Sequence, residues 1–140
     1  MSSPPQVEIE IPSRSVYVGV VRLALASLAR GAGLSEEVVD DLKIAVSEAC
    51  ANAVLSHEDA GADAPVTVTW LEEPDSVVVE VGDRGTVYDA VAPGQEFDSQ
   101  GFSARALMSF ALLKSLVDEC DLRPRDGGGM CARLCFSRSG

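Results

Sequence analysis

Glu48 and Asn52 are the residues of this chain whose types and spacing most readily do chemistry. They stand four apart in LKIAVSEACANAVLSH, Leu42 to His57, where apolar residues recur at Leu42, Ala45, Val46, Ala49, Ala53 and Val54. That periodicity is the pattern of a helix with one stripe against a core. At this spacing a carboxylate and a neutral amide project from one face, one turn apart, beside apolar surface. A carboxylate so placed suits a general base, and an amide oxygen suits a metal or water ligand. From the spacing alone, a solvated helix edge is the commoner meaning of Glu and Asn on a helix. The pair gains weight only if the rest of the chain supplies its counterparts.

The run SEACANAV resembles the first nucleotide-binding box of the histidine-kinase-like ATPases, in the branch of anti-sigma factors and serine kinases, where the box reads E-x-x-x-N within a helix. The resemblance implies that Glu48 orients or deprotonates the group attacking the γ-phosphate, and that Asn52 ligates the magnesium ion bridging the phosphates of ATP. VEVGDRG, closing an apolar run, is similar to the family's D-x-G-x-G box. Asp83 would accept a hydrogen bond from the adenine amino group, and Gly85 would let the backbone lie close to the base. Val87 stands where the second glycine belongs, and a β-branched side chain resists the backbone angles that glycine allows. Taken alone, Asp83 and Gly85 are equally a turn after a strand.

Three further positions depart from the family pattern. FALLKSLVDE resembles the family helix that follows a G-x-G phosphate cradle, and with the two matched the glycines fall on Met108 and Ser109. Gly101 is the only glycine nearby: either it serves a shifted loop, or the cradle of backbone amides at a helix N-terminus is lost. An isolated glycine before a helix is most often a start or a turn. Near the C-terminus the family's glycine, glycine, threonine becomes Gly128, Gly129 and Met130, and DGGG reads as a hairpin turn. Ser56 stands where the family often has a histidine, which leaves His57 as a structural histidine at a helix end.

The elements that must position these residues follow from local pattern. VEIEI alternates like a half-buried strand, ended by Pro12 and Ser13. From about Ser15 to Ala32, Val16, Val20, Leu23, Leu25 and Leu28 give a mostly buried helix that stops at Gly31 and Gly33. Its apolar residues lie on more than one side, which is more than one core-facing stripe requires and leaves a strip for a partner. Ser35 is an N-cap, with Glu36 and Glu37 in the first turn of the key helix. EDAGADA reads as a loop, and VTVTWL and SVVVEVGD as a hairpin around Glu73, Pro74 and Asp75. Tyr88 to Gln100 reads as an irregular surface loop, where the family carries its nucleotide lid. ECDLRPRDGGGMCARLCFS gives two short strands around a glycine turn.

The 140 residues with 46% hydrophobic content suffice for one sizeable core, so residues 1–140 are expected as a single domain with a flexible lead over residues 1–6. A net charge of -11, from 22 acidic and 11 basic residues, argues against direct nucleic-acid or membrane binding and for a basic protein partner. Met1 to Pro12 lacks the marks of a secretory leader, and Cys50, Cys120, Cys131 and Cys135 lack C-x-x-C spacing. Buried thiols in a reducing cytoplasm are therefore expected rather than a zinc site.

The resemblance spans about Val7 to Phe136. It implies an α/β two-layer sandwich with helices on one face of a mixed, largely antiparallel sheet, and a nucleotide pocket between the key helix, the strand ending at Asp83 and the lid. The expected function is an anti-sigma factor with degenerate ATP-binding motifs. It sequesters an alternative sigma factor and is antagonised by an anti-anti-sigma (STAS-domain) protein. The alternative is an active serine/threonine-protein kinase acting on that antagonist. A homodimer, or a heterocomplex formed through the first helix, is expected with either.

Overall fold

The computed structural model describes residues 5–85 and 104–138. The chain runs β1 (Gln6–Ile11), a short 3-10 turn (Ser15–Tyr17), α1 (Val18–Gly31), α2 (Glu36–Ala60), β2 (Val66–Glu72), β3 (Ser76–Gly82), α3 (Ala104–Leu116), β4 (Glu119–Pro124) and β5 (Met130–Ser137). β1 begins at Gln6, inside the stretch expected as a lead, and the Glu72 amide donates to the carbonyl of Pro5 (3.0 Å).

Ser35 starts α2 as its type requires: its Oγ accepts from the Val38 amide (3.3 Å), and Glu36 and Glu37 sit where the helix dipole favours a negative charge. The helix ends later than expected. Glu58, Asp59 and Ala60 remain helical, and Gly61 at φ 65° is the first residue to enter the left-handed region and turn the chain out. The Ala62 amide reaches back to the His57 carbonyl (2.9 Å) and closes that end.

The five strands form one sheet in the order β1-β2-β3-β5-β4. Every ladder among the described residues is antiparallel, in keeping with the mixed, largely antiparallel sheet expected and with no parallel pair among them. Alternate residues of β2, β3 and β5 point inward, Val66, Val68, Trp70, Val77, Val79, Val81, Leu134 and Phe136, all almost fully buried. They share one core with Val21 and Leu25 of α1, Leu42 and Val46 of α2, and Phe110 and Leu113 of α3. Period-two burial in the strands thus meets period-3.6 burial in the helices, the packing of a two-layer sandwich.

The first helix is not mostly buried. Val18, Val21, Leu25, Ala26 and Ala29 face the core, while Val16, Val20 and Leu23 are 76%, 57% and 66% exposed. Val20 and Leu23 lie three residues apart on one outward face of α1, and Val16 stands in the 3-10 turn that precedes it.

Candidate functional site

Glu48, Asn52 and Ser56 succeed one another at four-residue steps along α2, and each meets different surroundings. Glu48 is half-buried and lines a groove of about 650 Å³ with Arg22 of α1 and Asp40, Lys43, Ile44 and Ser47 of its own helix. Its carboxylate makes no hydrogen bond or ion pair among the described residues. The Arg22 guanidinium donates instead to Ser47 Oγ (3.4 Å). Asn52, one turn on, donates from its side-chain amide to Ser109 Oγ on α3. Ser56, a further turn on, reaches Asp83 (3.5 Å). The face predicted from the spacing exists, and it winds from an open groove to the end of β3.

Asp83 is the best-supported group of the site. It is 8% exposed, and its Oδ1 accepts from the Gly85 amide (2.8 Å), the Met130 amide (3.3 Å) and the Ser56 hydroxyl (3.5 Å). Among the described residues all its carboxylate bonds fall on Oδ1, so Oδ2 remains as the outward acceptor. Burial pushes the acid above the usual carboxylate range; the Gly85 and Met130 amides, and the nearby His57 and Arg125, oppose that shift.

The backbone around this carboxylate is held from three directions. The Asp83 amide donates to the Met130 carbonyl (2.9 Å), and Arg125 Nη1 donates to the Asp83 carbonyl (2.9 Å). Arg84 reciprocates, its Nη1 donating to the carbonyls of Asp126 (2.6 Å) and Gly128 (2.8 Å). The Arg84 amide donates to His57 Nε2 (2.7 Å), which leaves Nδ1 to donate to Ser13 Oγ (2.7 Å). His57 is 2% exposed. It is structural, as expected, and ties the β1–α1 loop to the turn that carries Asp83.

The glycines act differently from their sequence reading. A Cβ on Gly85 would come within 2.3 Å of Ser56 Oγ and 2.6 Å of the Ser56 carbonyl, so Gly85 lets the turn lie against α2. Gly129, at φ 92°, would place a Cβ 2.0 Å from the Asp83 carbonyl oxygen. DGGG is a hairpin turn, as expected, and that turn is packed against Asp83. Met130, in the threonine position of the resemblance, serves through its backbone. Gly101, Val87 and the loop from Tyr88 to Gln100 lie outside the described residues.

The adenine end of a magnesium-nucleotide pocket fits these residues, because Asp83 is rigidly held through Oδ1 and keeps Oδ2 as a further acceptor. At the metal end the Asn52 side-chain nitrogen donates to Ser109 Oγ, so a metal would be held through the side-chain oxygen, and Met108 and Ser109 are the fifth and sixth residues of α3, beyond its open first turn. Ser56, Arg84 and Arg125 were not singled out as ligand-pocket residues from the sequence, and of these only Ser56 carried a signal, the continuation of the four-residue step from Glu48 through Asn52.

Residues 11–136 match the family described as the histidine kinase-like ATPase domain. The serine-protein kinase RsbW of Listeria monocytogenes is 33% identical over 128 residues, which cover 87% of this chain and 82% of that protein. The serine-protein kinase RsbW of Bacillus pumilus is 33% identical over 129 residues, 86% of this chain and 80% of that protein. A crystal structure of the RsbU and RsbW domains of a Mycobacterium tuberculosis protein is similar with a TM-score of 0.67 and 21% identity over 96% of this chain. The chain spans 32% of that longer chain, and the likeness bears on the fold alone.

Proposed function

The chain belongs to the histidine kinase-like ATPase domain family, and from that premise we propose that it is a cytoplasmic anti-sigma factor. It sequesters an alternative sigma factor of the stress or developmental kind and is antagonised by an anti-anti-sigma (STAS-domain) protein. The observation that carries this reading is the outward strip of α1. Val16, Val20 and Leu23 expose large apolar side chains, and Ile44 of α2, 49% exposed, adds to them beside Arg22. An exposed apolar strip of this kind marks a protein contact. The charge of the chain, -11 overall, suits a basic partner. A homodimer through the same helix belongs to this reading. Among the described residues no helix is long and apolar enough to cross a membrane.

The pocket beside Asp83 binds an adenine nucleotide through its base. The kinase alternative is favoured by one observation, the naming of the RsbW relatives as serine-protein kinases. Two measurements separate the readings. Size-exclusion chromatography with light scattering, on the protein alone and with candidate sigma factors, should yield a defined complex; a strict monomer that captures none of them removes the anti-sigma reading. Incubation with labelled ATP and a STAS-domain protein tests the alternative, which falls if no phosphate is transferred.

A further inference from the structure

We propose that the free edge of β1 receives a strand from a basic protein partner: an extended segment, antiparallel to β1, with lysine or arginine at alternate residues opposite Glu8 and Glu10. This edge shares no residue with the exposed strip of α1 and needs nothing from the partner read there.

β1 is a terminal strand of the sheet, so one of its sides has no neighbour in the ladder. The pairing with β2 decides which backbone groups face that side. The Glu72 amide donates to the Pro5 carbonyl (3.0 Å), in the register that sets Gln6 against Leu71 and Val7 against Trp70. Hydrogen-bonded and non-bonded positions alternate along an antiparallel ladder. Val7, Ile9 and Ile11 therefore turn their N–H and C=O groups toward β2, and Gln6, Glu8 and Glu10 turn theirs to the free side. Among the described residues no hydrogen bond or ion pair engages these three.

The side chains name the occupant. Val7, Ile9 and Ile11 share the core face with their buried partners Trp70, Val68 and Val66, so the exposed Glu8 and Glu10 lie on the helix-free face. Val7 is 38% exposed although it stands on the core face, and the apolar layer is thus still open at this edge. An added strand that alternates apolar and basic residues sets its apolar side chains beside Val7 and Ile9 and its cations opposite the two glutamates. The net charge of -11 draws such a segment in. A second copy of β1 does not suit the edge. Opposed residues of an antiparallel pair lie on one face, and the registers that overlap the strand most fully set Glu8 against Glu8 or against Glu10. Like charges directly opposite one another are destabilising.

The test is NMR titration of the whole chain with a short peptide alternating lysine with valine or threonine. The contrasts are the same peptide with glutamate for lysine, and the lysine peptide N-methylated on the residues that would face β1. The lysine peptide should shift the amides of Gln6, Glu8 and Glu10 and slow their exchange with solvent. Affinity for either contrast should be lower by about tenfold or more. The double variant Glu8→Lys with Glu10→Lys, both at exposed positions, should reverse the preference and bind the glutamate peptide better. Equal binding of the three peptides, shifts confined to α1, or a dimer of this chain that protects the Glu8 amide would each overturn the proposal. So would absence of binding, which leaves the two glutamates as guards of an exposed edge. The peptide series on the unmodified protein decides the matter even if the double variant does not fold.

Discussion

In the proposed pocket Asp83 accepts a hydrogen bond from adenine best as a carboxylate, yet its burial favours the neutral acid and raises its folded pKa. The two consequences run in opposite directions with pH. In the window between the unfolded value, about 4, and the raised folded value, the native state binds more protons than the unfolded chain, so this group's contribution to stability grows as pH falls. Adenine affinity should fall over the same window, because the acceptor is being protonated. Adenosine titrations and urea midpoints from pH 7 down through the carboxylate range should show both trends, and Asp83→Asn should abolish both. That substitution should also cost about 1–3 kcal/mol of adenosine affinity at neutral pH, since its amide can turn a donor toward another donor. Unchanged affinity would remove Asp83 from the pocket. His57 makes a separate claim at this scale. His57→Ala leaves the Arg84 amide and Ser13 without their partner and should lower unfolding free energy by about 1–3 kcal/mol in urea denaturation.

The β4–β5 hairpin is the element on which the site leans, and its three glycines do not contribute equally. Gly127, Gly128 and Gly129 all have positive φ, at 86°, 105° and 92°. A Cβ on Gly128 would meet nothing within 4 Å, whereas one on Gly129 would fall on the Asp83 carbonyl and the Arg84 Cα. Gly128→Ala should therefore pay only in backbone strain, roughly 1–2 kcal/mol, and Gly129→Ala clearly more, with adenosine binding lost as the turn is displaced. Equal midpoints in urea for the two variants would refute that ordering. The hairpin itself was legible as DGGG between apolar runs, and so was the start of α2, because a Ser N-cap with two glutamates is a local signal. The end of α2 was not, since EDAG favours no state strongly and Gly61 decides the boundary by its conformation. What the hairpin does was also hidden. The exchange of Arg84 and Arg125 joins residues 42 apart, and no periodicity or motif encodes a contact of that range. Glu48, Asn52 and Asp83 were named from their motifs, but only the packing of α3 shows that Asn52 faces Ser109.

At the level of the whole molecule, the inner faces of the sandwich fold the chain, and the exposed Val20 and Leu23 of α1 belong to the surface proposed for a partner. Leu23→Asp should leave the urea midpoint nearly unchanged, because Leu23 is 66% exposed, while weakening sigma-factor capture about tenfold or more if the strip is the contact. Loss of folding instead would place Leu23 in the core and contradict the strip. The order of the sheet has one more consequence. β5, the last in chain order of the described strands, lies between β3 and β4 rather than at an edge. A chain still emerging from the ribosome can pair β1, β2 and β3, but the edge of β3 stays open, with Val77, Val79 and Val81 short of neighbours, and Asp83 lacks the Met130 amide that orients it. Nascent or prematurely terminated chains are therefore without a finished pocket and expose a sticky strand edge. Pairing of β5 thus closes the exposed edge of β3 and brings the Met130 amide to Asp83 in the same step.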